Sequence, residues 1–298
     1  MNITAMLIKR NVKLFFKDKG MFLTSLITPV ILLVLYSTFL GNVYRDSFVA
    51  NLPDSVVLSD KLIDGLVAGQ LVSSILAVSC VTVSFSSNFL MVQDRANGSI
   101  KDIMISPVRP SSLAISYYAA TLISSLIICL SAVVLSLAYV ALVGWYLSPT
   151  DVLLLLLDVV ILVLFGTAVS SVINFFLSTS GQISAVGTVI SSGYGFVCGA
   201  YMPISSFSEG LQRVISFLPG TYGTSLVRNH AMQGALEEMK EVGIPEEVIL
   251  NIKDALDCNL YFFGVKTPVW LMYVILISFI AVSVIAYVIL NLKNKKDT

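Results

Sequence analysis

The chain has 298 residues, of which 56% are hydrophobic and only 12% charged, with mean hydropathy +0.89. A soluble domain carries about 25% charged residues, so this composition excludes one and implies an integral membrane protein. Formal net charge is zero, which gives no reason to expect a nucleic-acid partner.

Residues 1–20 read as an amphipathic helix on the inner leaflet. Ile3, Met6, Leu7, Leu14 and Phe15 can enter lipid, while Lys9, Lys13 and Lys17 recur every four residues on another face. No small-residue cleavage site follows an apolar core, so no cleavable signal is expected. About 20 apolar residues cross a bilayer. Spans are therefore predicted at about 21–40, 66–91, 113–143, 152–177, 182–202 and 268–290. Between the second and third lies a polar loop, "QDRANGSIKDIMISPVRP", at 93–110. After the fifth, Leu211, Val214, Ile215 and Leu218 form a helical apolar stripe too short and too charged to span, read as re-entrant or interfacial. Between 235 and 265 the chain turns polar. Pro245 followed by Glu246 and Glu247 marks a helix start, and Val248, Ile249, Ile252, Ala255 and Leu256 share one face, so a small helical cap is predicted. The basic tail is 293–298.

Six spans place eleven basic residues on the N-terminal side and seven, mostly in one long loop, on the other. Positive residues near span ends favour the cytoplasm, so both termini are expected inside a plasma membrane.

Catalytic signals are poor. The single histidine, His230, lacks a Cys or His at metal spacing, and no HExxH or GxSxG occurs. No metal site is predicted. GxxxxGK[ST] is also missing, so any ATP-derived energy must enter through another chain. Asp158 is the one ionisable residue inside a span. The sequence offers it no partners in series, so it is expected to face a neighbouring helix rather than form a relay. Cys80, Cys129, Cys198 and Cys258 read as free structural thiols, with Cys198–Cys258 pairing disfavoured. The second span carries Ser73, Ser74, Thr82, Ser84, Ser87 and Asn88, and the fifth carries Gly187, Gly195 and Gly199. Such residues serve close helix packing or line a passage, and the two readings can coexist.

The polar loop resembles the type-2 exporter permeases of the ATP-binding-cassette superfamily. The resemblance rests on Asp94-Arg95, Gly98-Ser99, a short helix at 100–105 and Ser106-Pro107. Lys101, followed by Asp102, replaces that family's glutamate, and Ser116-Tyr117 replaces its Gly-Lys. A second match runs Gly199, Pro203, Leu211, Leu218-Pro219, Tyr222, Arg228 and Gly234, and "RNVKLFFKDKGMFLTSLITPVILLVLY" is similar to the family's elbow and first span. The resemblance leaves out 235–266.

It implies an all-α integral membrane fold: an N-terminal elbow helix (1–20), then a six-span permease domain (21–292) with a coupling helix at about 93–107. An outer re-entrant segment and helical insertion would follow at about 203–266. The coupling residues would be Asp94, Arg95, Gly98, Ser99, Lys101, Asp102 and Pro107, with Ser178 and Gln182 as a second contact. Ser84, Asn88, Ser191 and Gly195 would line the path, and Pro203, Leu211, Pro219, Tyr222 and Arg228 would form an outer gate. The implied partners are a separate ATPase subunit holding ATP and Mg, a second permease chain (identical or similar) and membrane lipid. This chain itself would bind no cofactor. The implied activity is outward transport of an amphipathic drug, peptide, lipid or lipid-linked glycan. A secondary transporter would need intramembrane charge pairs or an inverted repeat, and a membrane enzyme would need clustered His, Glu or Asp. Neither pattern is visible in the sequence.

Overall fold

A computed structural model describes residues 3–35, 38–39, 41–50, 58–106 and 108–293. Pro107, the end of the first predicted span at 40, and Lys295 and Lys296 of the tail lie outside the described residues.

Helix α1 (Ile3–Lys17) meets α2 (Lys19–Leu35) at a 73° bend. Asp18 makes the corner, its carboxylate accepting from the amides of Gly20 at 2.9 Å and Met21 at 3.1 Å, which satisfies donors that the start of α2 would leave unpaired. The short α3 (Gly41–Ala50) follows. Then come α4 (Asp60–Ala96), α5 (Ser99–Ile105), α6 (Pro110–Val143), α7 (Pro149–Phe175) and α8 (Ser180–Val197). Reciprocal capping boxes, Ser148 with Asp151 and Thr179 with Gln182, start α7 and α8. A 3-10 turn at Ile204–Ser206 leads to α9 (Glu209–Ile215), α10 (Pro219–Glu241) and α11 (Glu246–Ala255). Strands β1 (Leu260–Phe262) and β2 (Val265–Thr267) pair antiparallel before α12 (Val269–Lys293).

Helix α4 is the hub. Its most apolar window is fully buried, whereas that of α6 is 28% buried and that of α12 only 17%. Around α4 pack α2, α6, α7, α8 and α10, while α12 packs on α6, α7 and α10. The buried core runs from Phe15 through Leu76, Val83 and Leu162 to Leu276 and Tyr287.

Several expectations change. Helices α4, α6, α7 and α12 are each long and apolar enough to cross a membrane, and the bent α1–α2 pair makes a fifth if it is one span. Among the described residues this measure counts four or five, against the six read from the sequence. Helix α8 has 18 residues and ends at Val197, short of 202, because Gly199 turns the backbone to φ +74°. Phe15 does not dip into lipid: it is buried with Asn11 where α1 lies along α6. Within 203–266 the apolar stripe lies on α9 and its end, and a separate helix, α10, then runs without a break from Pro219 to Glu241. Of the face read for α11, Ile249 and Ile252 are buried and Ala255 is exposed. Among the described residues the regular structure is helical except for the hairpin, which the sequence reading missed.

Candidate functional site

At the C-terminal end of α4, two adjacent charges fix three other elements. The Asp94 carboxylate accepts from the Arg10 guanidinium at 2.6 and 3.3 Å and from the Tyr117 hydroxyl at 2.6 Å. It therefore ties α1 and α6 to α4. Arg95 donates to the carbonyls of Phe175 and Leu177, both at 2.6 Å, and its guanidinium lies 5.7 Å from the Phe175 ring centre. The α7–α8 loop is thereby held against the end of α4. That loop is rigid in its own right, because Gln182 Oε1 accepts from the amides of Ser178 at 2.7 Å and Thr179 at 3.2 Å. So the structure places Ser178 and Gln182 beside the loop that opens at Asp94.

Gly98 sits at φ +79°, a left-handed turn that a side chain would strain. It redirects the chain into α5, which contains no buried residue. Lys101 and Asp102 are exposed, Ser99 is half-buried, and Ile105 is 86% exposed. Phe176, on the adjoining loop, is 64% exposed. Ile105 and Phe176 thus each expose apolar surface at this end of the bundle, while Asp94 and Arg95 are engaged internally.

The four residues expected to line a path separate into two sets. Ser84 and Asn88 point into the bundle. The Ser84 hydroxyl donates to the Cys80 carbonyl at 2.7 Å, and Asn88 donates to Ser170 and Ser171 of α7, each at 3.0 Å. Ser191 instead borders a groove of about 740 Å³ between α2, α4 and α8, with Thr24, Thr28, Ser86, Ser184 and Thr188. Gly195 lies under the Tyr201 ring, where a Cβ would come within 2.3 Å of it.

On the opposite side, Arg228 is fully buried in α10. It donates to the carbonyls of Leu256 and Gly199, both at 2.8 Å, and lies 3.5 Å from the Asp257 carboxylate. Asp257 also accepts from the Ile204 amide at 2.8 Å. Burial pushes its carboxyl up, and the Arg228 charge opposes that shift. One cation thus locks the ends of α8 and α11 to α10. Tyr222 is buried, donating to the Ser216 carbonyl at 2.6 Å. Pro219 opens α10, Pro203 precedes the 3-10 turn, and Leu211 faces outward from α9.

One cluster was not anticipated. Asp158, in α7, lies 2.5 Å from His230 Nδ1 of α10 and accepts from the Tyr273 hydroxyl of α12. Asp158, expected to face a neighbouring helix, does face α10 and α12, and the single histidine is one of its two partners there. They are 72 and 115 positions away in the chain, so no local signal could reveal them. Among the described residues no group of three or more His, Cys, Asp or Glu could hold a metal ion. The four cysteines are free and buried, so Cys198 and Cys258 do not pair.

Apolar helices around a buried hub, with loops pinned at one end and a polar helix locked at the other, define a multi-pass membrane domain. The chain belongs to the ABC-2 type transporter family, which matches residues 4–231. This is a transport membrane domain, not itself catalytic, of a kind that normally works with an ATP-binding-cassette subunit. A comparison with curated proteins gives no match.

Proposed function

We propose that this chain is the permease half of an ATP-driven exporter and that α5 is the element its ATPase grips. The observation carrying this reading is that α5 turns Lys101, Asp102, Met104 and Ile105 (86% exposed) outward while Ile100 and Ile103 rest on the core, on a base fixed by Arg95 and Asp94 to α7, α1 and α6. A soluble subunit that seats this helix moves three transmembrane elements at once. The α7–α8 loop at Ser178 supplies the second contact. Helices α2 and α8 complete a six-span count with both termini inside: 18 residues of α8 rise about 27 Å, close to the hydrocarbon thickness. The hydroxyl-lined groove beside them suits an amphipathic substrate, and a second permease would close it. Family membership and the groove's mixed polar and apolar lining support this reading.

Charge reversal at Asp94 or Arg95 would break internal bonds, so the docking test belongs on exposed residues. Ile105→Asp combined with Lys101→Glu is expected to reduce co-purification of a co-expressed ATP-binding-cassette subunit at least tenfold, a loss of about 1.4 kcal/mol or more. The permease's own melting temperature should stay unchanged. Undiminished co-purification overturns the assignment.

Orientation has its own test. Lys240 is exposed near the end of α10, whereas Cys258 is buried and its thiol is pushed by burial up to about 11. In intact cells an impermeant maleimide should label Lys240→Cys and leave the native chain, with its buried Cys258, unlabelled. Labelling at position 240 only after permeabilisation would reverse the proposed topology.

A further inference from the structure

Beside the start of α12 stands a group of aromatic rings that the chain does not cover. Phe262 and Phe263 pack edge to face at 4.9 Å between ring centres, and Phe217 meets them at 5.3 and 5.9 Å. Phe217 and Phe263 are 63% and 61% exposed, and Val265 is 71% exposed. The turn makes this costly twice over. Phe263 and Gly264 have φ of 48° and 82°, the two left-handed positions of a tight hairpin that Asn-Gly or Asp-Gly ordinarily fill. A phenylalanine there is conformationally disfavoured and puts a large apolar ring at the tip.

What covers the rings follows from where the hairpin leads. Strand β2 ends at Thr267 and α12 begins at Val269. Five residue steps separate Gly264 at the tip from Val269, so at about 3.3 Å per residue the tip stays within about 17 Å of the start of the spanning helix. The first turn of α12 exposes Trp270, and Val274 and Ile277 are also exposed, on a helix whose apolar window is only 17% buried. The aromatic tip thus continues the lipid-facing surface of α12. Lys266, exposed opposite Tyr261 in the ladder, is placed to reach phosphates while its stem lies on apolar groups.

We infer that the hairpin is a lipid-inserted wedge. Phe217, Phe262 and Phe263 enter the headgroup–acyl boundary of the leaflet at the Val269 end of α12, where amphipathic and aromatic side chains are favoured. The occupant of this surface is lipid, and the inference does not depend on ATP coupling or on the direction of transport. Its effect is to tether the α9–α10 link, through Phe217, to the bilayer surface.

The test uses the full chain in vesicles of phosphatidylethanolamine and phosphatidylglycerol. A nitroxide is attached at Phe263→Cys, and separately at Val265→Cys in case the turn is altered. The four native cysteines are buried and serve as the unlabelled background. Collision with oxygen should exceed collision with an aqueous nickel chelate at both positions, and the reverse should hold at Lys240→Cys. Nickel access equal to that at 240 would mean that the tip stands in water. Low access to both reagents would mean that protein, such as a second copy, covers it. Either result overturns the inference.

Discussion

Asp158→Ala is expected to destabilise the folded membrane domain by about 3–5 kcal/mol, the usual loss when one member of a buried ionic or strongly hydrogen-bonded set is removed. Asp158 is 1% exposed, and two polar side chains converge on it from different helices, His230 from α10 and Tyr273 from α12. Alanine would leave both facing an apolar seam, where an unpaired polar group costs about 1–3 kcal/mol, and would also release the α7–α10–α12 junction. Asp158→Asn should lose less, because one amide oxygen can still accept. The decisive measurement is a double-mutant cycle in detergent with His230→Leu. If the two side chains interact as placed, the double variant should be more stable than the sum of the single losses by about 0.5–3 kcal/mol. Strict additivity, or a single loss under about 1 kcal/mol, would show that the cluster does not hold the helices together.

This cluster marks where reading a sequence in one dimension stops. Helices α4, α6, α7 and α12 were legible because long runs without charge have one stable solution in lipid, a helix that satisfies its own backbone. Their ends were less legible. Asp60 and Lys61 at one end of α4, and Asp94 and Arg95 at the other, extend the helix beyond its apolar run, since charge marks the membrane edge and not the helix end. The α10 sequence, "PGTYGTSLVRNHAMQGALEEMKE", looks like a surface segment. Yet Thr221, Arg228 and Asn229 are buried, each with its partner supplied by a distant element or by its own helix. A polar residue announces that it needs a partner but not where the partner lies. The same limit applies at the C-terminal end of α4: Asp94 and Arg95 stood out as a charged pair, but nothing local said that they bind Arg10, Tyr117 and the Phe175 carbonyl. The hairpin escaped because Phe-Gly is not a recognised turn signal.

Gly234→Ala should abolish recovery of folded protein, although the same change ordinarily strengthens a helix. Two effects oppose each other. Replacing a mid-helix glycine relieves about 0.5–1 kcal/mol of backbone entropy. Against it, a Cβ at Gly234 would come within 2.0 Å of the Tyr146 carbonyl oxygen and 2.6 Å of its carbon. These are backbone atoms of the α6–α7 connection, and they cannot swing aside as a side-chain tip can. Overpacking typically costs about 1–3 kcal/mol and more when the neighbour is rigid, so the clash wins. Gly69 of α4 also meets α10 too closely for a methyl group, its Cβ position lying 2.6 Å from the Ala231 carbonyl oxygen. Helix α10 is therefore wedged between α4 and the α6–α7 connection with no room for a methyl group on either side. That fit also holds Arg228, Asn229 and His230 in register with Gly199, Cys258 and Asp158. Gly193→Ala supplies the contrast: it lies within α8, and nothing is within 4 Å of its Cβ position. That variant should equal the parent or exceed it by up to about 1 kcal/mol. Size-exclusion recovery and thermal unfolding in detergent would read both variants. Parent-like recovery of Gly234→Ala would mean that α10 can move away from the α6–α7 connection, and the close packing that holds Arg228 in place would not exist.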